Sequence, residues 1–280
     1  MPKLAATQYK TKVEPVWCPG CGDFGVLNAL CNALSAKEVD PKNMVFVSGI
    51  GCSGRLPPYV KSYGFHTVHG RVLPIATGIK VANPDLTVVA VGGDGDAFAI
   101  GGGHIPHMAR RNPTVIYIVM DNGTYGLTKG QASPTGPLGM KTGASPYGTI
   151  EPPLNPIAMA LAYDISFVAA AYSGKNKELE ALIVRALSHR GFSFINVISP
   201  CITYYNTYKE LPPLLAGVPE DHDVKDRAKA FELALKTDKI HLGLFYEVEK
   251  PTFEERLRGV IDQSEAAGIP RLDEIFLDFA

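Results

Sequence analysis

Two runs dominate the hydrophobic pattern of the chain, Leu86 to Gly92 (LTVVAVG) and Val115 to Met120 (VIYIVM). Both are almost wholly apolar and rich in β-branched residues. Runs of this kind read as parallel strands buried on both faces. Met44 to Gly49 and Phe192 to Ser199 are placed as strands in the same way. Between them the period changes. Ala97 to Arg111 fits a helix, Leu73 to Ala82 reads as a helix entered at Pro74, and Val26-Leu27-x-x-Leu30-Cys31-x-x-Leu34 marks the apolar face of another. A strand, a crossover helix and a second parallel strand form a right-handed unit. The expected fold is therefore a three-layer α/β module with a mostly parallel sheet, helices on both faces, and ligands beyond the carboxyl ends of the strands.

After Cys201 the pattern loosens into an aromatic, proline-bearing loop (TYYNTYKELPPLL), a charged helix from about Asp223 to Lys236 and a strand at Leu242 to Val248. The expected division is thus a site-bearing domain over 1–201 and a C-terminal extension over 202–280, packed on that domain or on a partner. Composition narrows the function classes. The 280 residues are 46% hydrophobic and 20% charged, ordinary values for a globular chain. A net charge of −1 gives no support to nucleic-acid binding. No apolar run reaches membrane-spanning length, and the start, MPKLAATQYKTKVEP, lacks a signal-peptide core, so a cytoplasmic setting is expected.

Gly93-Asp94-Gly95 and Asp121-Asn122-Gly123 sit where the two dominant strands run out. If those strands are neighbours, Asp94 and Asn122 offer a carboxylate and an amide oxygen at one spot. That donor pair suits a hard cation such as Mg²⁺, which keeps room for phosphate ligands. Flanking glycines let a phosphate approach, and amides at a helix start favour an anion. A simple strand-to-helix turn would explain Gly-Asp-Gly alone; the Asn at this separation favours the cation.

Five cysteines carry the second signal: Cys18, Cys21, Cys31, Cys52 and Cys201. In a reducing compartment metal binding is the first functional alternative to packing. Cys18-Pro-Gly-Cys21 is a turn that can aim two thiolates at one metal, and Cys52 and Cys201 each follow a strand end. Four thiolates suit a structural zinc or an iron-sulfur cluster. Cys31 lies on an apolar helix face and is expected to pack as a small hydrophobe. Among other candidates, His69 precedes a helix start and can either donate to a phosphate oxygen or serve as a structural histidine. Arg55, three residues beyond Cys52, is the candidate cation for a substrate carboxylate, with a surface ion pair as the alternative. His104 and His107 have no acidic partner in their motif and are expected to be surface or packing residues.

Gly93-Asp94-Gly95, a gap of 25 residues, then Asp121-Asn122 resembles the diphosphate motif of thiamine diphosphate enzymes. That resemblance implies Mg²⁺ held by Asp94, Asn122 and the carbonyl of Thr124. The family more often has Asn where this chain has Asp121. With Cys-Pro-Gly-Cys-Gly, Ile50-Gly51-Cys52-Ser53, His69-Gly70-Arg71 and Tyr125-Gly126-Leu127-Thr128-Lys129-Gly130-Gln131, the stretch from Val16 to Cys201 resembles the β subunit of 2-oxoacid:ferredoxin oxidoreductases. The resemblance implies a thiamine diphosphate-binding fold of the diphosphate type. It also implies one 4Fe-4S cluster on Cys18, Cys21, Cys52 and Cys201, and thiamine diphosphate lined by Ile50, Gly51, Cys52, Ser53, His69, Gly95, Asp96, Gly126 and Leu127.

The implied reaction is coenzyme A-dependent oxidative decarboxylation of a 2-oxoacid, with single electrons passed to ferredoxin. Its catalytic glutamate would come from the pyrimidine-binding domain of a separate α subunit, since no second module is visible here; the assembly would be a heterodimer or a pair of them. Ser133-Pro134-Thr135, Pro137 to Thr142 and Phe245 to Thr252 look more like 2-oxoglutarate members than pyruvate ones. A pyruvate- or indolepyruvate-specific member, or a non-catalytic nucleotide-binding module with a structural zinc, are the alternatives.

Overall fold

The computed structural model describes residues 4–268. The strands are β1 (Met44–Ser48), β2 (Tyr63–His66), β3 (Thr87–Gly93), β4 (Val115–Asp121), β5 (Thr124–Tyr125), β6 (Gln131–Ala132), β7 (Phe167–Tyr172), β8 (Phe192–Ile198), β9 (Leu215–Gly217) and β10 (Ile240–Glu247). The helices are α1 (Asp23–Ala36), α2 (Val72–Ala82), α3 (Ile105–Arg111), α4 (Pro156–Ala162), α5 (Asn176–Ser188), α6 (Arg227–Ala234) and α7 (Phe253–Ala267). Eight strands form one sheet in the order β2-β1-β3-β4-β8-β7-β10-β9. All neighbours are parallel except β10, which runs antiparallel to β7.

The continuous apolar runs have the expected cause. In β3 and β4, Val88, Ala90, Val115, Tyr117 and Val119 face one core, and Val89, Val91, Ile116, Ile118 and Met120 face the other. Helices α2, α3, α4 and α6 cover the first face, and α1 and α5 the second. Period-2 alternation thus buries every residue of these strands except Thr87, Gly93 and Asp121 at their ends. Cys31, fully buried in α1, belongs to the second core.

Two details depart from the expected elements. Ala97 to Arg111 is not one helix: residues Gly95–Ile100 wind as a π-helix, Gly102–His104 as a 3₁₀ turn, and only Ile105–Arg111 is α-helical. Three successive glycines, 101–103, and Pro106 in the first turn of α3 explain the break. The strand read at Leu242 to Val248 begins earlier, at Ile240, and enters the central sheet between β7 and β9. The part of the 202–280 segment beyond 268 lies outside the described residues. No helix among the described residues is long and apolar enough to cross a membrane.

Chain order reverses between β1 and β3: β2 lies outward of β1, whereas β4 continues past β3 on the other side. A reversal of this kind opens a crevice at the carboxyl edge. Residues 49–53 and 93–96 leave the sheet at that crevice.

Candidate functional site

The crevice is a cavity of about 350 Å³, and Asp94, Asn122 and Thr124 all line it. Ile50, Gly51, Cys52 and Ser53 form one wall, His69, Gly95 and Asp96 a second, and Gly126 and Leu127 a third. The whole expected cofactor set therefore converges. Gly95 must be glycine, because a Cβ there would run into the ring of Tyr125.

Asp94, 2% exposed, follows β3 directly. Its Oδ2 accepts from Gly123 N at 3.1 Å, from Thr135 Oγ1 at 2.7 Å and from Ser133 Oγ. Asp121 Oδ1 lies 2.6 Å from the same Thr135 hydroxyl, whose single proton serves one of the two carboxylates at a time, and Asp121 Oδ2 accepts from Asn196 Nδ2 at 3.0 Å. Burial and the Asp121 charge push the Asp94 carboxyl up to about 7; burial raises Asp121 as well. Among the described residues, what bears on Asp94 is a second carboxylate and neutral donors, with no cation. A buried acidic pair so arranged fits a divalent ion, which would supply the missing positive charge. Asn122 Oδ1 accepts from Thr124 N at 3.0 Å, which fixes the amide beside Asp94 and leaves its second lone pair for a ligand.

Asp96 binds two loops together. Its Oδ1 accepts from Ile50 N at 3.0 Å and Gly70 N at 2.8 Å. His69 Nδ1 also stands 2.9 Å from Oδ1, an approach without hydrogen-bond alignment, and both Nδ1 and Asp96 Oδ2 are buried atoms with no hydrogen-bond partner. Orphaned polar atoms at a cavity wall suit a polar ligand.

A second cavity, of about 300 Å³, is lined by Cys18, Cys21, Cys52 and Cys201, with Arg55 at its side. The two cavities share Cys52, Asn122, Gly126 and Leu127. Trp17 Nε1 donates to Cys52 O at 2.7 Å, and its ring packs edge-on against Phe24 and Tyr59, so the Cys18 loop is fastened to the Cys52 loop. Burial and the Asp23 charge push the Cys21 thiol well up, and burial first, then Asp23 and neighbouring cysteines, push Cys52 up to about 11. Such thiols become thiolates in company with a metal. Among the described residues no three His, Cys, Asp or Glu side chains close on one ion-sized point. Four cysteines around one cavity suit a structural zinc or an iron-sulfur cluster.

Arg55 lines the cysteine cavity and not the first one. His104 Nε2 lies 3.0 Å from Arg71 Nη1, away from both. Three residues at the site escape a reading of the sequence for site residues. Ser133 and Thr135 stand in a segment that sequence ties to substrate preference, yet they hold Asp94. Asp23, 2% exposed, lines the first cavity, its carboxyl pushed up to about 6 by burial. The one signal for Asp23 is its place two residues beyond Cys21, at the start of the helix that follows the Cys-x-x-Cys motif.

Residues 49–197 match the family described as "Thiamine pyrophosphate enzyme, C-terminal TPP binding domain", and residues 201–262 match the C-terminal family of the pyruvate ferredoxin oxidoreductase β subunit. The β subunit of 2-oxoacid:ferredoxin oxidoreductase 2 from Aeropyrum pernix is 42% identical, over 90% of this chain and 87% of that relative. The 2-oxoglutarate synthase subunit KorB of Methanocaldococcus jannaschii is 38% identical, over 90% of this chain and 94% of its own length. Among solved structures, a 2-oxoglutarate:ferredoxin oxidoreductase from Magnetococcus marinus, with 2-oxoglutarate, coenzyme A and succinyl-CoA bound, superposes with a TM-score of 0.95. It is 42% identical, and the match covers 100% of this chain and 97% of that one.

Proposed function

The chain belongs to the β-subunit family of the 2-oxoacid:ferredoxin oxidoreductases, and from that premise we propose that it carries out coenzyme A-dependent oxidative decarboxylation of 2-oxoglutarate, with electrons leaving through a 4Fe-4S cluster to ferredoxin. The observation that carries the reading is the junction at Cys52, where a cavity for a diphosphate cofactor meets a cavity ringed by four cysteines. A non-oxidative thiamine enzyme has no use for the second. The relatives named for 2-oxoglutarate, and the 2-oxoglutarate, coenzyme A and succinyl-CoA held by the Magnetococcus marinus enzyme, support this substrate and acceptor.

Thiamine diphosphate, when bound, supplies the nucleophile and electron sink for loss of CO₂, and the cluster supplies one-electron steps. The chain's own residues do the holding. Asp94, Asn122 and the Thr124 carbonyl bind Mg²⁺. Ile50 to Ser53 and Gly95-Asp96 would offer backbone groups to the diphosphate, His69 would offer a ring nitrogen to it, and Gly126 and Leu127, which line both cavities, would stand between cofactor and cluster. Cys18, Cys21, Cys52 and Cys201 bind the cluster. Arg55, at the junction, pairs with the substrate carboxylate. No glutamate of the described residues lines the cofactor cavity, which supports a partner α subunit that supplies the pyrimidine-binding domain and the catalytic glutamate. The active unit is then a cytoplasmic heterodimer or a pair of them, with both sites on residues 1–201 of this chain and Ile202, Thr203 and Tyr204 bordering the cysteine cavity.

The test is dye reduction by the chain co-expressed with its α subunit, across a panel of 2-oxoacids with coenzyme A. The reading expects 2-oxoglutarate to give the highest kcat/KM. Faster turnover of pyruvate or indolepyruvate would move the substrate within the family; no turnover of any 2-oxoacid would refute the activity.

A further inference from the structure

The motif His69-Gly70-Arg71 carries a cation that neither cavity uses. Arg71 stands just before α2, and its Nη1 donates to His104 Nε2 at 3.0 Å and to Ile100 O at 3.4 Å. A guanidinium has donors only, so His104 accepts here as a neutral imidazole, and the rest of the Arg71 fork is left free. Among the described residues no carboxylate pairs with Arg71. Around it stand Val68, 72% exposed, Ile100, 52% exposed, and Ile75, 39% exposed. They form one patch: Gly70 packs on Ile100, and the Arg71 amide donates to Val68 O at 3.1 Å. Strand β2, exposed along its whole length at the sheet edge, leads into it. The two segments that supply this patch, 41–84 and 97–120, contain no Asp or Glu. Asp96 beneath it is turned inward onto the Ile50 and Gly70 amides.

We propose that this patch docks the partner α subunit, and that Arg71 meets a carboxylate which that subunit supplies. The inference rests on the reading above, in which a partner brings a glutamate to the cofactor cavity. The patch is continuous with that cavity, because His69, two residues before Arg71, is a cavity wall residue whose side chain is 38% exposed. A subunit that closes over His69 therefore lies on Val68 and Ile100 as well. Exposed apolar side chains around an arginine have the make-up of an interface centre, and a free guanidinium fork matches a carboxylate in two bonds. A second copy of this chain, set face to face across a two-fold axis, would bring another guanidinium and no acid, so charge favours the α subunit as occupant.

The experiment uses the chain co-expressed with its α subunit. With the photo-crosslinker p-benzoylphenylalanine placed at Ile100, irradiation should join this chain to the α subunit, and mass spectrometry should find the new bond in a peptide of that subunit. Arg71→Glu should raise the dissociation constant of the complex by about 30-fold or more, measured by sedimentation, because it sets two like charges against each other at the contact. Arg71→Lys, which keeps the charge and loses the fork, should cost less. The crosslink leaves Arg71 in place, so it decides the matter even if Arg71→Glu folds poorly. A crosslink to a second copy of this chain, no crosslink at all, or a folded Arg71→Glu chain that binds the α subunit as tightly as wild type would overturn the proposal. Wild-type chain that copurifies with no second subunit would instead overturn the reading beneath it.

Discussion

Replacing Asp96 with alanine tests how the cofactor cavity is held open. The carboxylate is 2% exposed, and Oδ1 takes the amides of Ile50 and Gly70, one from the loop after β1 and one from the loop before α2. Removing it orphans two buried donors at about 1–3 kcal/mol each, so roughly 2–6 kcal/mol in all. Part of that is returned, because Oδ2 is buried without a partner and its desolvation cost disappears with it. A net local loss of about 2–4 kcal/mol remains. At about 1.4 kcal/mol per decade, even the lower figure is roughly a 30-fold change in an opening equilibrium.

Hydrogen exchange of the holoenzyme, resolved to the Ile50 and Gly70 amides, reads this directly. Asp96→Ala should lose protection there by at least that factor, and should retain less thiamine diphosphate on desalting. Asp96→Asn, which keeps an acceptor, should lose less. Wild-type exchange at both amides in Asp96→Ala would refute the claim that this carboxylate joins the two loops.

Asp94→Ala should abolish retention of thiamine diphosphate while leaving iron bound, measured by cofactor and iron content of the same preparation; equal cofactor retention would count against the Mg²⁺ assignment. Cys31→Ala should cost about 1 kcal/mol of stability, as a small core truncation does, and leave iron content unchanged, because Cys31 is fully buried in α1 and outside the cysteine cavity. For pH, the Asp94 carboxyl sits near 7 in the fold against an ordinary 3.8, so the folded state binds more protons between those values. The cation-free protein therefore loses stability as pH rises through that window. Mg²⁺ with thiamine diphosphate pairs with the ionised form, so it should bind more tightly at about pH 8 than at about pH 6 and release protons, as calorimetry in buffers of different ionisation enthalpy would register. No proton release, and equal affinity at both pH values, would contradict this.

What was legible in the sequence follows from how local its cause is. Strands β3 and β4 were legible because both of their faces are buried, which leaves an unbroken apolar run. Strand β2 was not, because all four of its residues are exposed at the sheet edge and carry no hydrophobic pattern. The break at Gly101 to Gly103 was hidden by a helical period that continued on either side of it. Within the site, Asp94, Asn122 and the cysteines could be read from motifs at fixed spacing. Ser133 and Thr135 could not: they reach Asp94 from a loop some forty residues on, and nothing in their own neighbourhood specifies that contact. Asp23 looks in sequence like an ordinary acid at a helix start; only its burial and its bond to Ser199 mark it as something else.

The most direct test of cofactor, cluster and reaction together is an anaerobic visible spectrum of the chain purified with its α subunit, before and after 2-oxoglutarate and coenzyme A. The expected result is a broad iron-sulfur band that bleaches when both are added, with thiamine diphosphate present in the same sample. A protein that holds zinc and no iron when kept strictly free of oxygen, or an iron-sulfur band that no 2-oxoacid bleaches, would contradict it.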